Sequence, residues 1–425
     1  MSQPFHRVSG AAFSGLATSG GGAEAVAELC AAQASKNRLL VRHLVDESRR
    51  HPAAELVVQA YDALSELEEC SPEEVDRCLR YPAVGAWVLR ACRSVAAGGG
   101  EPGRLTAVAL AASVRAGTSC RLRVPLSDGE LMLPSLGRVR LPGGTSRVVE
   151  ATVEPVDGGA ELHLGGRVYP VSAQRDHHGW QVLHRPLDDP ELTIDDLDPY
   201  RWPGADVDGR LTDERRQRWT ACLREAWDIL TTHHQDVAEE IAAVVSVLTP
   251  IVTPTRDQHS ASARDTFGTI ALSDPINGPG MAVTLAHELQ HAKLNALSEV
   301  VELVGRDDGR RYYAPWRPDP RPLFGLLHGA YAHAGLAGFW RRHTEDSALG
   351  LYAQVEFTRW REAAHQVTGT LLDSGGLTEA GTHFVAMLRD TLGRWQAEPV
   401  TPAAAAQARL QSEHHRQEWS RANTS

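Results

Sequence analysis

The stretch TLAHELQHAKLNAL, residues 284–297, sets His287, Glu288 and His291 in an HExxH pattern. On a helix, residues four apart project about 40° from one another, so both imidazoles can turn toward one ion. Glu288 stands about 100° round from His287 and reaches the same cavity without having to be a ligand. Two imidazoles on one rigid turn have already met much of the ordering cost of a metal site. With zinc, such a site activates water and uses the glutamate as general base; with a redox-active ion and open positions, it supports oxygen chemistry. Chance alone produces HExxH in roughly one chain in twenty of this length and histidine content. The context therefore matters. Val283, Leu285, Leu289, Leu294 and Leu297 anchor the helix, and the polar residues interrupt its apolar side. Polar groups placed there need partners, either an ion or hydrogen bonds within the core.

A third ligand has to come from elsewhere in the chain. His328, in RPLFGLLHGAYAHAGLAGFW, lies on a second apolar helical pattern and is the choice; His333, five residues on, is expected to face another side. Glu299 falls two turns beyond His291, about 12 Å along the axis, and suits outer contacts. Between the two patterns, RDDGRRYYAPWRPDPRPL gathers Tyr312, Tyr313, Trp316, Arg317 and Arg321 in a proline-stiffened loop. Arginine offers a planar fork for carboxylates, so Arg317 and Arg321 are candidates for an acidic co-substrate or a peptide, with Arg264 a third; solvated, snorkelling arginines are the plain alternative. The adjacent pairs His177–His178, His233–His234 and His414–His415 do not share a helix face and are expected to be exposed. There is no GxSxG elbow and no phosphate-binding fingerprint.

The elements that must position these residues read as an α+β fold, mainly helical. A helical N-terminal region covers 1–103, a strand-rich region 104–205, and a helical half carrying the HExxH 206–425. Apolar spacing predicts helices over 23–48, 53–69 and 83–95, and later over 281–303, 321–343, 347–373 and 377–395, with a helical alanine-rich tail. Residues 211–248 read as one or two long helices. From 118 to 187, short alternating runs broken by Gly, Pro and Asp predict strands and hairpins, whose edges can pair with an extended peptide. LTIDDLDPYRWPG then reads as an extended acidic connector, because its prolines resist helix. The 425 residues carry a net charge of −11, which argues against a general nucleic-acid binder. Six scattered cysteines without a CxxC read as reduced thiols, and no signal segment or membrane span is expected, so a cytoplasmic setting is expected.

The run SASARDTFGTIALSDP, with HELQHAKLNAL and YAPWRPDPRPLFGLLHGAYAHAGLAGFW, resembles the 2-oxoglutarate-dependent HExxH-type peptide β-hydroxylases. These accompany radical SAM cyclophane maturases of ribosomal peptides. The similarity is strongest over about 255–345 and extends more loosely to AAQASKNRLLVRHLVDE and DDLDPYRW. It implies a non-haem Fe(II) oxygenase that hydroxylates a β-carbon in a precursor peptide, consuming 2-oxoglutarate and O₂ and releasing succinate and CO₂. It implies His287, His291 and His328 as ligands and Glu288 as an orienting group. Arg317, Arg321, Tyr313, Trp316 and Arg264 would contact co-substrate or peptide. Three protein ligands leave two positions for the chelating keto acid and one for O₂. The implied partners are the precursor peptide and a radical SAM maturase, and the implied frame is helical rather than a double-stranded β-helix. Two alternatives stand beside this reading. One is a zinc metallopeptidase with Glu288 as base, against which stand the missing export signal and the absent HExxHxxGxxH pattern. The other is a non-catalytic module that presents peptide to a maturase.

Overall fold

A computed structural model describes residues 6–144, 146–171, 175–253, 258–346 and 349–423. Helices come first: α1 (Gly10–Ala17), α2 (Gly22–Glu47), α3 (Ala54–Cys70), α4 (Pro72–Arg80), α5 (Pro82–Val95) and α6 (Leu105–Ala116). Strands follow: β1 (Cys120–Leu126), β2 (Glu130–Leu133), β3 (Gly137–Arg140), β4 (Arg147–Val156), β5 (Gly159–Leu164), β6 (Arg167–Val171), β7 (Trp180–Val182) and β8 (Thr193–Ile194). Next come α7 (Asp213–His233), α8 (Gln235–Val244), β9 (Val247–Pro250), β10 (Ser260–Ala261) and β11 (Thr269–Leu272). Helices close the chain: α9 (Gly278–Val300), α10 (Leu323–Arg341), α11 (Gly350–Asp373), α12 (Glu379–Gln396) and α13 (Pro402–Asn423). The fold is thus a mainly helical α+β, and α4 and α5 each begin with proline in the first turn, where its missing N–H costs nothing. Of the helix expected over 347–373, residues 347 and 348 lie outside the described residues, as do residues 1–5 of the segment read for an export signal.

The chain forms two compact units, neither continuous in sequence. The first comprises residues 1–32, 222–244 and 276–425, the second 33–221 and 245–275. In the second unit, β1-β4-β5-β6 make an antiparallel sheet and β2-β3-β7 a smaller one. A third sheet has the order β10-β11-β9-β8, in which β9 runs parallel to both β8 and β11. VLTP and TIAL are buried throughout, as central strands covered on both faces are. Antiparallel β1 and β4 alternate instead: Leu122, Val124, Leu126, Ala151 and Val153 point into the core, and Arg121 and Glu150 pair outside it.

Within the segment read as an extended acidic connector, residues 192–198 are buried. Asp195 accepts from the Tyr81 hydroxyl at 2.6 Å, Asp196 from Arg210 at 2.6 Å, and Asp198 from Arg104 at 2.6 Å. Burial pushes the Asp195 carboxyl above its ordinary range. Each of these charges is matched by donors, the condition under which a carboxylate can leave water. The same unit contains a cleft of about 1050 Å³, walled by Arg90, Arg104, Arg138, Arg140 and Tyr200 over Leu131 and Met132.

The first unit is helical in its described residues, with Leu285, Leu289, Leu326, Leu327, Phe357, Leu371, Phe384 and Leu388 buried. Lys293, on α9, is fully buried: its ammonium donates to Glu240 of α8 at 2.6 Å and to the Gly20 carbonyl at 2.9 Å. Glu240 also accepts from the Gly22 amide at 2.8 Å. The helix bearing the HExxH is thereby tied to α8 and to the α1–α2 turn. His234, expected to be exposed, is buried against Phe339 with its Nε2 2.9 Å from that of His343, because the α7–α8 junction turns it inward. None of the six cysteines forms a disulfide, and among the described residues no helix is long and apolar enough to cross a membrane.

Candidate metal centre

The HExxH falls mid-way along α9. Asn277 caps the helix by accepting from the Gly280 amide at 2.8 Å, and Pro279 sits in the first turn. Donor atoms of His287, Glu288 and His291 lie within 4.8 Å of one another. Glu288 is buried, and the two histidines keep an accessible edge. Their rings meet edge to face, centroids 4.9 Å apart. Burial holds both imidazoles near a pKa of about 4, so at neutral pH they carry the lone pairs a metal needs. Nδ1 of His287 is buried and has no hydrogen-bond partner among the described residues.

α10 lies beside α9. The approach requires Gly335, where a Cβ would stand 2.5 Å from Cγ of Gln290. Two α10 histidines face the motif. His328 brings its Nδ1 to 3.4 Å from Nδ1 of His291, the rings nearly parallel at 12°. His333, which helical spacing turned elsewhere, stands edge to face with His287 at 5.2 Å. Its Nδ1 donates to the Gly329 carbonyl at 2.8 Å, and its ring is held between Trp316 at 4.4 Å and Trp360 at 4.6 Å.

The loop between α9 and α10 divides its residues among different tasks. Trp316 lies flat on Gly329, where a Cβ would come within 2.2 Å of the indole nitrogen, and so walls the centre. Tyr313 turns toward α13: its hydroxyl is 3.0 Å from Nδ1 of His415, and Trp419 and Arg416 pack on its ring. Arg317 and Arg321 both grip Asp319, at 3.0 and 2.9 Å, and together hold its carboxyl below the ordinary range. Arg321 also lies against the backbone of Gly325, one turn before His328. Arg264 opens a 3-10 turn, Arg264–Thr266, in the second unit, whereas the other candidates belong to the first. Sequence reasoning missed Trp360 and set His333 aside. The available signal was the second histidine of α10, four residues after a glycine.

No protein-family model matches the chain, and no curated protein matches it either.

The donor set suits a divalent first-row ion. Imidazole nitrogens with a nearby carboxylate accept zinc, iron or manganese, and a buried ring nitrogen with no partner among the described residues fits a cluster arranged around something other than itself.

Proposed function

We propose that the chain is an Fe(II)- and 2-oxoglutarate-dependent oxygenase that hydroxylates a β-carbon in a ribosomally made peptide. The observation carrying this reading is the group of neutral, partly buried imidazoles on α9 and α10, which keeps one accessible edge and is walled by tryptophan. Bound there, iron(II) with 2-oxoglutarate and O₂ supplies the oxidising chemistry, giving succinate, CO₂ and a hydroxylated side chain. The chain's own residues position and shield. His287 and His291, with an imidazole from α10, hold the ion. Glu288, buried next to them, orients a ligand or a bound water. Trp316 and Trp360 exclude solvent on the His333 side. Arg321, lying over the first turn of α10, would receive the keto acid's far carboxylate, with Arg317 joining when Asp319 gives way. The arginine-walled cleft of the second unit, with its apolar floor, suits an extended peptide segment.

The test is direct. Purified protein with Fe(II), ascorbate, 2-oxoglutarate and its candidate precursor peptide is expected to yield a peptide heavier by one oxygen, with matching succinate. Peptide fragments formed with Zn²⁺ and no co-substrate would instead make Glu288 the general base of a peptidase, and binding without either product would leave a presenting module.

A further inference from the structure

We infer that His333, rather than His328, supplies the third imidazole of the metal centre, and that His328 serves as the hydrogen-bond partner that orients His291. The inference rests on the metal-binding part of the reading above. Three observations carry it.

Ring spacing comes first. Two imidazoles bound through Nε2 at about 2.1 Å, with bond angles of 90° to 109° at the ion, have centroids roughly 4.6–5.3 Å apart. His287 and His291 fall in that window at 4.9 Å, and His287 and His333 at 5.2 Å. His291 and His328, at 5.6 Å, fall outside it.

Second, a ligating histidine almost always donates its other ring N–H to a fixed acceptor, which sets its tautomer and its aim. His333 does this already through Nδ1 to the Gly329 carbonyl, leaving the Nε2 lone pair for an ion. His328 instead directs its Nδ1 at Nδ1 of His291. That contact occupies the nitrogen of His291 that a metal bound through Nε2 leaves over.

Third, His333 is the more rigidly held. It is nine-tenths buried between two indoles, and Trp316 can reach it only because residue 329 is glycine. A ligand whose rotamer is locked by packing loses little freedom on binding. The donor atoms that already lie within 4.8 Å of one another are those of His287, Glu288 and His291, and His333 packs edge to face on the first of these, with ring centroids 5.2 Å apart. With three imidazoles bound, three positions stay open on a six-coordinate ion, whereas a fourth imidazole would leave too few for a chelating keto acid and O₂.

The experiment titrates the metal-free full chain with Co(II), reading the visible ligand-field bands, and with Zn(II) by calorimetry, for the wild type, His333→Gln and His328→Gln. The expected result for His333→Gln is a loss of more than 100-fold in affinity with an altered band pattern. His328→Gln should keep the wild-type band pattern and lose about tenfold, the size of an outer-contact effect. Circular dichroism reports whether each variant is folded. If His333→Gln fails to fold, a crystal structure of the wild type grown with Zn(II) decides, since it reads the ligands directly. Wild-type affinity and bands in a folded His333→Gln, or an ion coordinated by His328 with His333 outside its sphere, overturns the inference. A metal held by His287, His291 and His333, with no 2-oxoglutarate turnover once the protein is loaded with Fe(II), sinks the hydroxylase and leaves the ligand assignment intact. Failure to bind either metal sinks both.

Discussion

Replacing Gly329 with alanine tests whether the loop wall and α10 are one packed unit. The new methyl would stand 2.2 Å from Nε1, 2.3 Å from Cε2 and 2.4 Å from Cζ2 of Trp316, so the indole must retreat by more than 1 Å. The ring lies flat between the helix backbone and His333, so it cannot move without giving up the 4.4 Å stack. Overpacking of this kind costs about 1–3 kcal/mol, and loss of an aromatic stack about 0.5–1.5 kcal/mol. Alanine in place of glycine in a helix interior returns about 0.5–1 kcal/mol. The net is a destabilisation of about 2 kcal/mol, or a Tm lower by roughly 4–8 °C for a cooperative unit of some 150–250 residues. Thermal melts of four proteins measure it: wild type, Gly329→Ala, Trp316→Ala and the double variant. Since the methyl harms only when the indole is present, the double variant should be more stable than the sum of the single effects by about 1–3 kcal/mol. Gly329→Ala melting at or above the wild type, with effects that simply add, would show that helix propensity alone is at work and that Trp316 does not lie on α10.

Other consequences follow from the same contacts. Lys293→Met leaves the Glu240 carboxylate buried without its cation and should cost about 3–5 kcal/mol in urea unfolding, much of it recovered by adding Glu240→Gln. Burial and the neighbouring His343 lower the His234 imidazole to a pKa of about 3, so the folded chain resists a proton that the unfolded chain takes up near 6.5. Stability from this group is therefore complete above about pH 6.5 and declines as pH falls toward 3, by at most about 1.4 kcal/mol per pH unit; His234→Leu should flatten that part of the profile in pH-dependent melts. Asp319→Asn removes the carboxylate that Arg317 and Arg321 share, and 2-oxoglutarate should then bind the metal-loaded protein several-fold more tightly by calorimetry, with an unchanged or weaker affinity speaking against either guanidinium as its seat.

The helix bearing HExxH was readable because its evidence is local. Periodic apolar residues place it over 281–303, and it spans Gly278–Val300. The strands between 118 and 187 were equally plain from alternation and turn residues. Long-range pairing left no such mark. The parallel alignment of β8, β9 and β11 joins segments separated by tens of residues, and the acidic segment gave no sign that Arg104 and Arg210 would meet its carboxylates inside the protein. Lys293 is the sharpest case. On a helical wheel a lysine marks the wet face, yet here it is the best-buried cation among the described residues because Glu240, 53 residues earlier, and the Gly20 carbonyl await it.

The centre itself shows why residue type outruns residue partner. A wheel sets His328 and His333 about 140° apart, which on a straight isolated helix lets only one of them face a neighbour. The neighbour is also a helix, however, and its two histidines are a turn apart, so the pair presents two targets rather than one. His328 meets His291 and His333 meets His287, each imidazole of α10 served by a different turn of α9. The loop makes the same point in reverse. Tyr313, Trp316, Arg317 and Arg321 all look like ligand-binding residues when read as types, yet Trp316 stacks on His333, Tyr313 turns to His415, and the two arginines find a carboxylate two residues away. Asp319 was visible in the sequence throughout. What decides its importance is whether an incoming acid can compete with a carboxylate that never has to diffuse, and that competition is a property of the folded loop.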